Sequence, residues 1–417
     1  MLAPARPGTY TGTRRNLAPM TIVTSSETLL PDPEPRTVRY SIISVDDHLV
    51  EPPDMFEDRV PAKYADLAPR IVENEQGHQV WEFDGERYTQ VAMNAVAGRK
   101  REFVKVEPVR FEDIRPGCWN IDARIKDQDL NGVWASLNFP SQITGFSGRV
   151  FSLASDRDLG IATTRAWNDW LHDEWWQPYP DRSIPCGITY LSDPDEGAAE
   201  IRRNAERGFR AVTLPERPHK VGLPSLFSGY WDPIVAACDE TDTVICLHVG
   251  SSGMADYPDD SPRLGLGATL FGQLSLSACA EWLWSELPLR HPNLKIAMSE
   301  GGIGWVAMLL DRLDNIVDRS GYGEYFGDGS QRPADVLKRN FWFCTLDDPS
   351  TIDTRDRIGV DNIMFEVDYP HGDSTWPDTQ DVIERYWGHL PVDDLRKILY
   401  ANAASLFRWP LPPNPLP

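Results

Sequence analysis

Positive charge is scarce in this sequence: 41 lysines and arginines stand against 63 aspartates and glutamates, a formal charge of −22 over 417 residues. Nucleic-acid binding rests on clustered Lys and Arg, so that function class is excluded. Long apolar runs are missing too, and no stretch reaches the ~20 residues that span a bilayer. Cysteine is sparse: Cys118, Cys186, Cys238, Cys246, Cys279 and Cys344 form no C-x-x-C pair and no dense framework. Several sit in apolar runs, which reads as reduced, buried thiols of a cytoplasmic protein. "GLGATLFG" (265–272) lacks dinucleotide spacing, so neither nicotinamide nor flavin is expected. "GSSG" (250–253) lacks the strand–G-x-S-x-G–helix elbow, leaving Ser251 and Ser252 as substrate-loop residues at most.

What is present is a rhythm. Short runs rich in apolar and β-branched residues recur at 40–45, 132–139, 184–191, 209–214, 243–249, 294–299, 341–345 and 362–368. Helix-period segments separate them, at Arg157 to Trp175, Pro194 to Arg207, Pro233 to Thr241, Leu274 to Leu287 and Gly304 to Arg319, with a final amphipathic helix in 391–410. Strands alternating with helices predict an α/β parallel fold, here a (β/α)8 or TIM barrel. A doubly wound sheet would need a Gly-rich turn after its first strand, where this chain has Asp46-Asp47-His48. Residues 70–120 break the rhythm and carry a hairpin signal at Asp84-Gly85, predicting an insertion after strand 1 that stands over the C-terminal mouth as a lid or wall. Residues 1–38 read as a disordered leader without a signal peptide, Met20 being a possible start, and 39–417 as one domain.

Barrel chemistry assembles where the strands end. Those ends carry Asp46 and His48 ("SVDDH"), His248 ("CLHVG"), Glu300 ("AMSEGG") and Asp368 ("FEVDYPHGD"), followed by His371 and Asp373. Strand alternation puts Asp46 and His48 on one face and Asp47 on the other, so the first two read as ligands and Asp47 as a turn residue. Glu300 reads as ligand or acid/base against the bland role of capping the helix in "GGIGWV". His371 and Asp373 read as second-site ligands or proton carriers against an N-cap turn before a helix from Trp376. His291 in "RHPN" reads as a helix end, and His78, His172, His219 and His389 carry no pattern.

These motifs resemble the metal-dependent amidohydrolase superfamily, in its branch related to aminocarboxymuconate semialdehyde decarboxylase. D-x-H at strand 1, His before a Gly/Ser turn at strand 5, "HPNLKIAMSEGGIGW" at strand 6 and "DYPH" at strand 8 carry the resemblance. It implies a divalent metal held by Asp46, His48, His248 and Asp368, and makes a homodimer plausible. Two positions depart from the pattern: Asp46 stands where His is common, and Glu300 likewise. Each replaces an imidazole by a harder anionic oxygen, which points to Fe, with two ions conceivable, and leaves Zn or Mn as alternatives. The leading expectation is therefore a non-haem, dinuclear iron oxygenase (monooxygenase) hydroxylating a small hydrophobic acid or its acyl thioester, using Glu300, Asp368 and His371 catalytically. The resemblance to actinobacterial pathway proteins of this branch tips the balance that way. The alternative is a metal-dependent hydrolase or decarboxylase of a small carboxylated substrate. A third expectation, an inactive ligand-binding barrel, is opposed by the surplus of ligand residues.

Two further readings concern the walls. Trp81, Trp305 and Trp376 are expected near the mouth, lining an apolar pocket. Arg99, Lys100, Arg101 and Lys105 are expected to grip a carboxylate or an acyl-CoA phosphate, or else to be a solvated face.

Overall fold

A computed structural model describes residues 28–416. Twelve strands are labelled in chain order. The barrel staves are β1 (Ile42–His48), β5 (Val133–Phe139), β6 (Ser183–Ile184), β7 (Cys186–Gly187), β8 (Ala211–Thr213), β9 (Val244–His248), β10 (Ile296–Ser299), β11 (Phe341–Thr345) and β12 (Ile363–Phe365), while β2 (Arg70–Glu73), β3 (Gln79–Phe83) and β4 (Glu86–Tyr88) lie outside. Parallel pairing runs β1–β5–β6 and β7–β8–β9–β10–β11–β12. Pro185, which cannot donate to a ladder, separates β6 from β7, and the two form one interrupted stave. Eight staves result, as the periodicity predicts. The ring closes between β12 and β1: Asp368 N–H donates to the Asp46 carbonyl (2.9 Å) and His48 N–H to the Tyr369 carbonyl (2.6 Å).

The staves read as unbroken apolar runs because both faces are covered. All five residues of β9 are buried, as are all seven of β1. Helices pack outside, begun by side chains that satisfy their first free N–H groups. Asp156 caps Arg157–Trp170, and Asp193 caps Pro194–Glu206, where Pro194 occupies the first turn and needs no N–H partner. All six cysteines are buried and free. Among the described residues no helix is long and apolar enough to cross a membrane.

The segment after β1 forms the expected insertion. β2, β3 and β4 make an antiparallel sheet whose tight turn is Asp84-Gly85, both residues at positive φ (53° and 80°) as a two-residue hairpin requires. Beyond it the chain docks on the loop after β12, where Val96 and Ala97 N–H both donate to the Pro370 carbonyl at 2.9 Å. Of the expected leader, residues 1–27 lie outside the described residues. The remainder runs over the insertion and the last helices, with Leu30 N–H on the Gly98 carbonyl (2.7 Å) and Asp32 paired to Arg115 (2.9 Å).

Candidate metal centre

Asp46 and His48 end β1, His248 ends β9, Glu300 follows β10, and Asp368 and His371 follow β12. Barrel closure brings all six to one point. His48 Nε2 lies 3.0 Å from His248 Nε2, 3.4 Å from Asp46 Oδ1 and 3.4 Å from Asp368 Oδ1. His248 Nε2 is also 3.3 Å from Glu300 Oε2 and 3.7 Å from Asp46 Oδ2. The His371 ring stacks on His48 (centroids 3.8 Å apart), and its Nδ1 is 2.9 Å from Asp368 Oδ1. Asp373 is exposed, yet one of its oxygens falls with Glu300 and Asp368 in a set whose donor atoms lie within 4.8 Å of one another. Asp47 turns the other way, accepting from Ser44 Oγ (2.9 Å) and Tyr369 N–H (3.2 Å).

The backbone is held in unusual conformations here. Glu300 (φ 61°), Asp368 (φ 58°) and Phe146 (φ 65°), whose ring packs on both His48 and His248, are all left-handed without being glycine. Such residues cost of order 1 kcal/mol or more and persist where surroundings fix them. Glu366 supplies one restraint: its buried carboxylate accepts the Glu300 N–H at 3.1 Å. The helix-capping role goes to Asp348, which accepts the Ile303 N–H, so Glu300 is left to face His248.

Electrostatically the cluster is incomplete by itself. Asp46 and Asp368 are 0 % exposed, and none of their four carboxyl oxygens has a hydrogen-bond partner. Burial drives the Asp46 pKa well above the carboxylate range, and Glu366, Asp368 and Glu300 add to it. Asp368 is raised in the same way, by burial and then by Glu300 and Asp373. Burial, then His371 and His248, pushes His48 well below its ordinary value; burial lowers His248 as well. His371 goes the other way: burial opposes its charge, but the Glu300 carboxylate, with Asp373 and Asp46, outweighs it. A divalent cation fits this set. His248 Nδ1 faces the Val249 carbonyl at 2.6 Å, which places the proton there and leaves the Nε2 lone pair free.

Above the cluster opens a cavity of about 360 Å³, with apolar walls from Met93, Phe146, Val150, Val221 and Phe271. Tyr88, Met93 and Asn94 come from the insertion, so it does wall the site. The expected tryptophans do not. Trp81 is fully buried and bonded to the Val91 carbonyl, Trp305 bonds the Gly301 carbonyl and packs on Phe343, and Trp376 packs on Tyr369. Bulky indoles gain more from the core than from a solvated mouth. The basic patch is likewise away from the cavity, because Arg99 is buried and donates to the Phe103 and Val106 carbonyls. His291 ends the helix Leu287–Arg290, and His172, His219 and His389 face acidic side chains elsewhere.

Sequence reasoning passed over Glu366, Glu216 and Arg149. Glu366 was accessible, since it stands two residues before Asp368 on one strand face. Glu216 follows β8 with both carboxyl oxygens buried and unpartnered; burial drives it up to about 8. Arg149 opens a four-residue helix too short to leave a periodic signal.

An amidohydrolase family profile matches residues 142–409. No curated protein matches the sequence. Among solved structures, an amidohydrolase from Mycobacterium avium subsp. paratuberculosis superposes with a TM-score of 0.69 at 22% identity, over 89% of this chain and 100% of the other. The 2,6-dihydroxybenzoate decarboxylase from Rhizobium gives 0.59 at 19% identity, over 88% and 99%. The 5-carboxyvanillate decarboxylase from Novosphingobium aromaticivorans, complexed with manganese and 4-hydroxy-3-methoxy-5-nitrobenzoic acid, gives 0.60 at 20% identity, over 88% and 96%. These identities establish the shared barrel. They also correct the expectation of a dinuclear iron oxygenase: the family match and the decarboxylases among the neighbours favour the alternative, and neither iron nor oxidoreductase chemistry is supported. The physical error lay in reading hard oxygen donors as a sign of redox metal, when such donors suit manganese as well.

Proposed function

The chain belongs to the amidohydrolase family, and on that premise we propose that it is a divalent-metal enzyme that decarboxylates a small aromatic or otherwise apolar acid. The observation that carries this reading is the set of unpartnered, fully buried oxygens of Asp46 and Asp368 facing His48 and His248 at the floor of an apolar cavity. Asp46, His48, His248 and Asp368 would hold the ion, with manganese the first choice for mixed oxygen and nitrogen donors. When bound, it supplies Lewis-acid charge for the substrate carboxylate and for the negative charge left on the organic fragment.

The protein's own groups do the rest. Phe146, Val221 and Phe271 keep water from the carboxylate, favouring departure of neutral CO2. His371 would hold a proton at Nδ1, which makes no hydrogen bond and whose charge the Glu300 carboxylate, 3.9 Å away, and Asp373 favour against the cost of burial. As the carbon–carbon bond breaks, its electron pair stays on the substrate carbon. The proton passes from Nδ1 to that carbon, and solvent restores it. Hydrolysis is the second reading, favoured by Glu300 beside His248 (3.3 Å), a carboxylate placed to take a proton from water.

The test is reconstitution of metal-stripped protein with Mn(II), followed by measurement of CO2 release from hydroxy- and methoxybenzoates. Metal-dependent release supports decarboxylation. Turnover of acyl substrates alone moves the assignment to hydrolysis, and failure of His48→Ala to change metal content removes the site.

A further inference from the structure

We propose that Arg149, with Tyr88, forms an anion subsite on the outer wall of this cavity, so that the substrate is a dianion with one carboxylate at the floor and a second charged group at Arg149. The inference rests on the reading of the cavity as a site for carboxylated molecules and narrows its substrate class.

The first ground is charge. Acidic residues outnumber basic ones 63 to 41, and arginines here characteristically hold carboxylates: Arg115 holds Asp127, Arg217 holds Glu281, Arg357 holds Asp311 and Asp314. The Arg149 side chain makes no hydrogen bond and no ion pair among the described residues, and its Nε is buried without a partner. It is also the one Lys or Arg among the described residues lining the cavity. A half-buried guanidinium without a carboxylate partner, lining a cavity in an acid-rich chain and with its Nε cut off from solvent, is a group available for a ligand.

The second ground is placement. Phe146 packs against the His48 and His248 rings (centroids 5.7 and 5.3 Å), fixing the start of this wall at the floor. The chain then turns at Gly148 (φ 82°), where a Cβ would meet the Thr189 carbonyl oxygen at 2.8 Å. Arg149 thus begins its short helix from an anchored turn, three residues beyond Phe146. Tyr88, at the end of β4, lines the same cavity from the insertion, and burial, then Glu86, holds its phenol above the ordinary value against the opposing Arg149 charge, so that it keeps its proton as a donor. A planar fork plus one hydroxyl donor matches a carboxylate. Phe146 and Phe271 line the cavity and suit an aromatic spacer between the two anionic ends.

The experiment compares isophthalate with benzoate by calorimetric titration of Mn(II)-loaded full-length protein, wild type, Arg149→Gln, Arg149→Lys and Tyr88→Phe. Isophthalate is expected to bind ~10-fold or more tighter than benzoate to the wild type, equivalent to ~1.4 kcal/mol. Arg149→Gln should bring the two within ~2-fold while leaving benzoate unchanged, Arg149→Lys should restore part of the preference, and Tyr88→Phe should reduce it. Equal binding of the two probes to the wild type, or a preference that survives Arg149→Gln, overturns the subsite. Failure of the metal reading is separate: benzoate binding would then be indifferent to removal of Mn(II), whatever Arg149 does.

Discussion

His48 and His248 point their Nε2 atoms at each other across 3.0 Å, with unpartnered Asp46 and Asp368 oxygens beside them. Two imidazole nitrogens facing a pair of unpartnered carboxylates form a socket that suits a divalent cation. Stripped protein should therefore gain stability on addition of Mn(II), by ~2.7 kcal/mol at a hundredfold excess over Kd. His48→Ala, His248→Ala and Asp46→Ala should abolish the thermal shift. A full shift in all three would show that manganese stabilises the chain elsewhere.

His371 sits above the socket, stacked on His48, with a proton held by neighbouring carboxylates. His371→Asn should retain close to the wild-type metal content and lose turnover ~10²-fold or more, the usual contribution of a placed proton donor. Elemental analysis beside steady-state rates separates the two effects. Parallel loss of metal would make His371 a ligand.

Glu300 combines a left-handed backbone (φ 61°) with a carboxylate in a crowded acidic cluster. Glu300→Gly relieves both, and the metal-free protein should gain ~1 kcal/mol. Activity should fall in the same variant. Chemical denaturation at pH 7 reads the first effect, and unchanged or lower stability would mean that the contacts of the Glu300 carboxylate with His248 and His371 outweigh the strain.

Glu216 gives a pH signature. Burial, opposed by the Gly250 N–H and Arg217 and reinforced by Glu300 and Glu281, drives its pKa up to about 8. The folded state therefore keeps a proton that the unfolded chain loses near the ordinary carboxylate value. Stability falls as pH rises between those two values, because the unfolded state binds fewer protons there. Glu216→Gln should match wild type near pH 4 and exceed it at pH 8, raising Tm by ~2 °C or more. Melting curves of metal-loaded protein across pH 4–9 check this, and parallel curves for the two proteins would rule it out.

The eight staves were legible because both-sided burial writes each one as an apolar run, and the insertion because Asp84-Gly85 satisfies the torsions of a tight hairpin. The convergence of Asp46, His48, His248, Glu300 and Asp368 was legible for a related reason: each ends or directly follows a buried run at the mouth where the staves meet. The cavity walls were not. Tyr88, Phe146 and Arg149 reach the site from a three-residue strand, a turn and a four-residue helix too short for any period to encode, and tryptophans near strand ends went to the core instead. Reaction type was misjudged because oxygen donors report the hardness of a cation and not its redox behaviour.

Val96 and Ala97 of the insertion share one acceptor, the carbonyl of Pro370, which lies between Asp368 and His371. The segment that walls the cavity and the loop that carries Asp368 and His371 are thereby spliced into one unit. In many barrels, specificity loops can be exchanged without disturbing the chemistry below. Here a transplanted insertion would arrive without its anchor, so diversification should proceed by point changes on the wall, at Tyr88, Met93 or Asn94, and not by wholesale replacement.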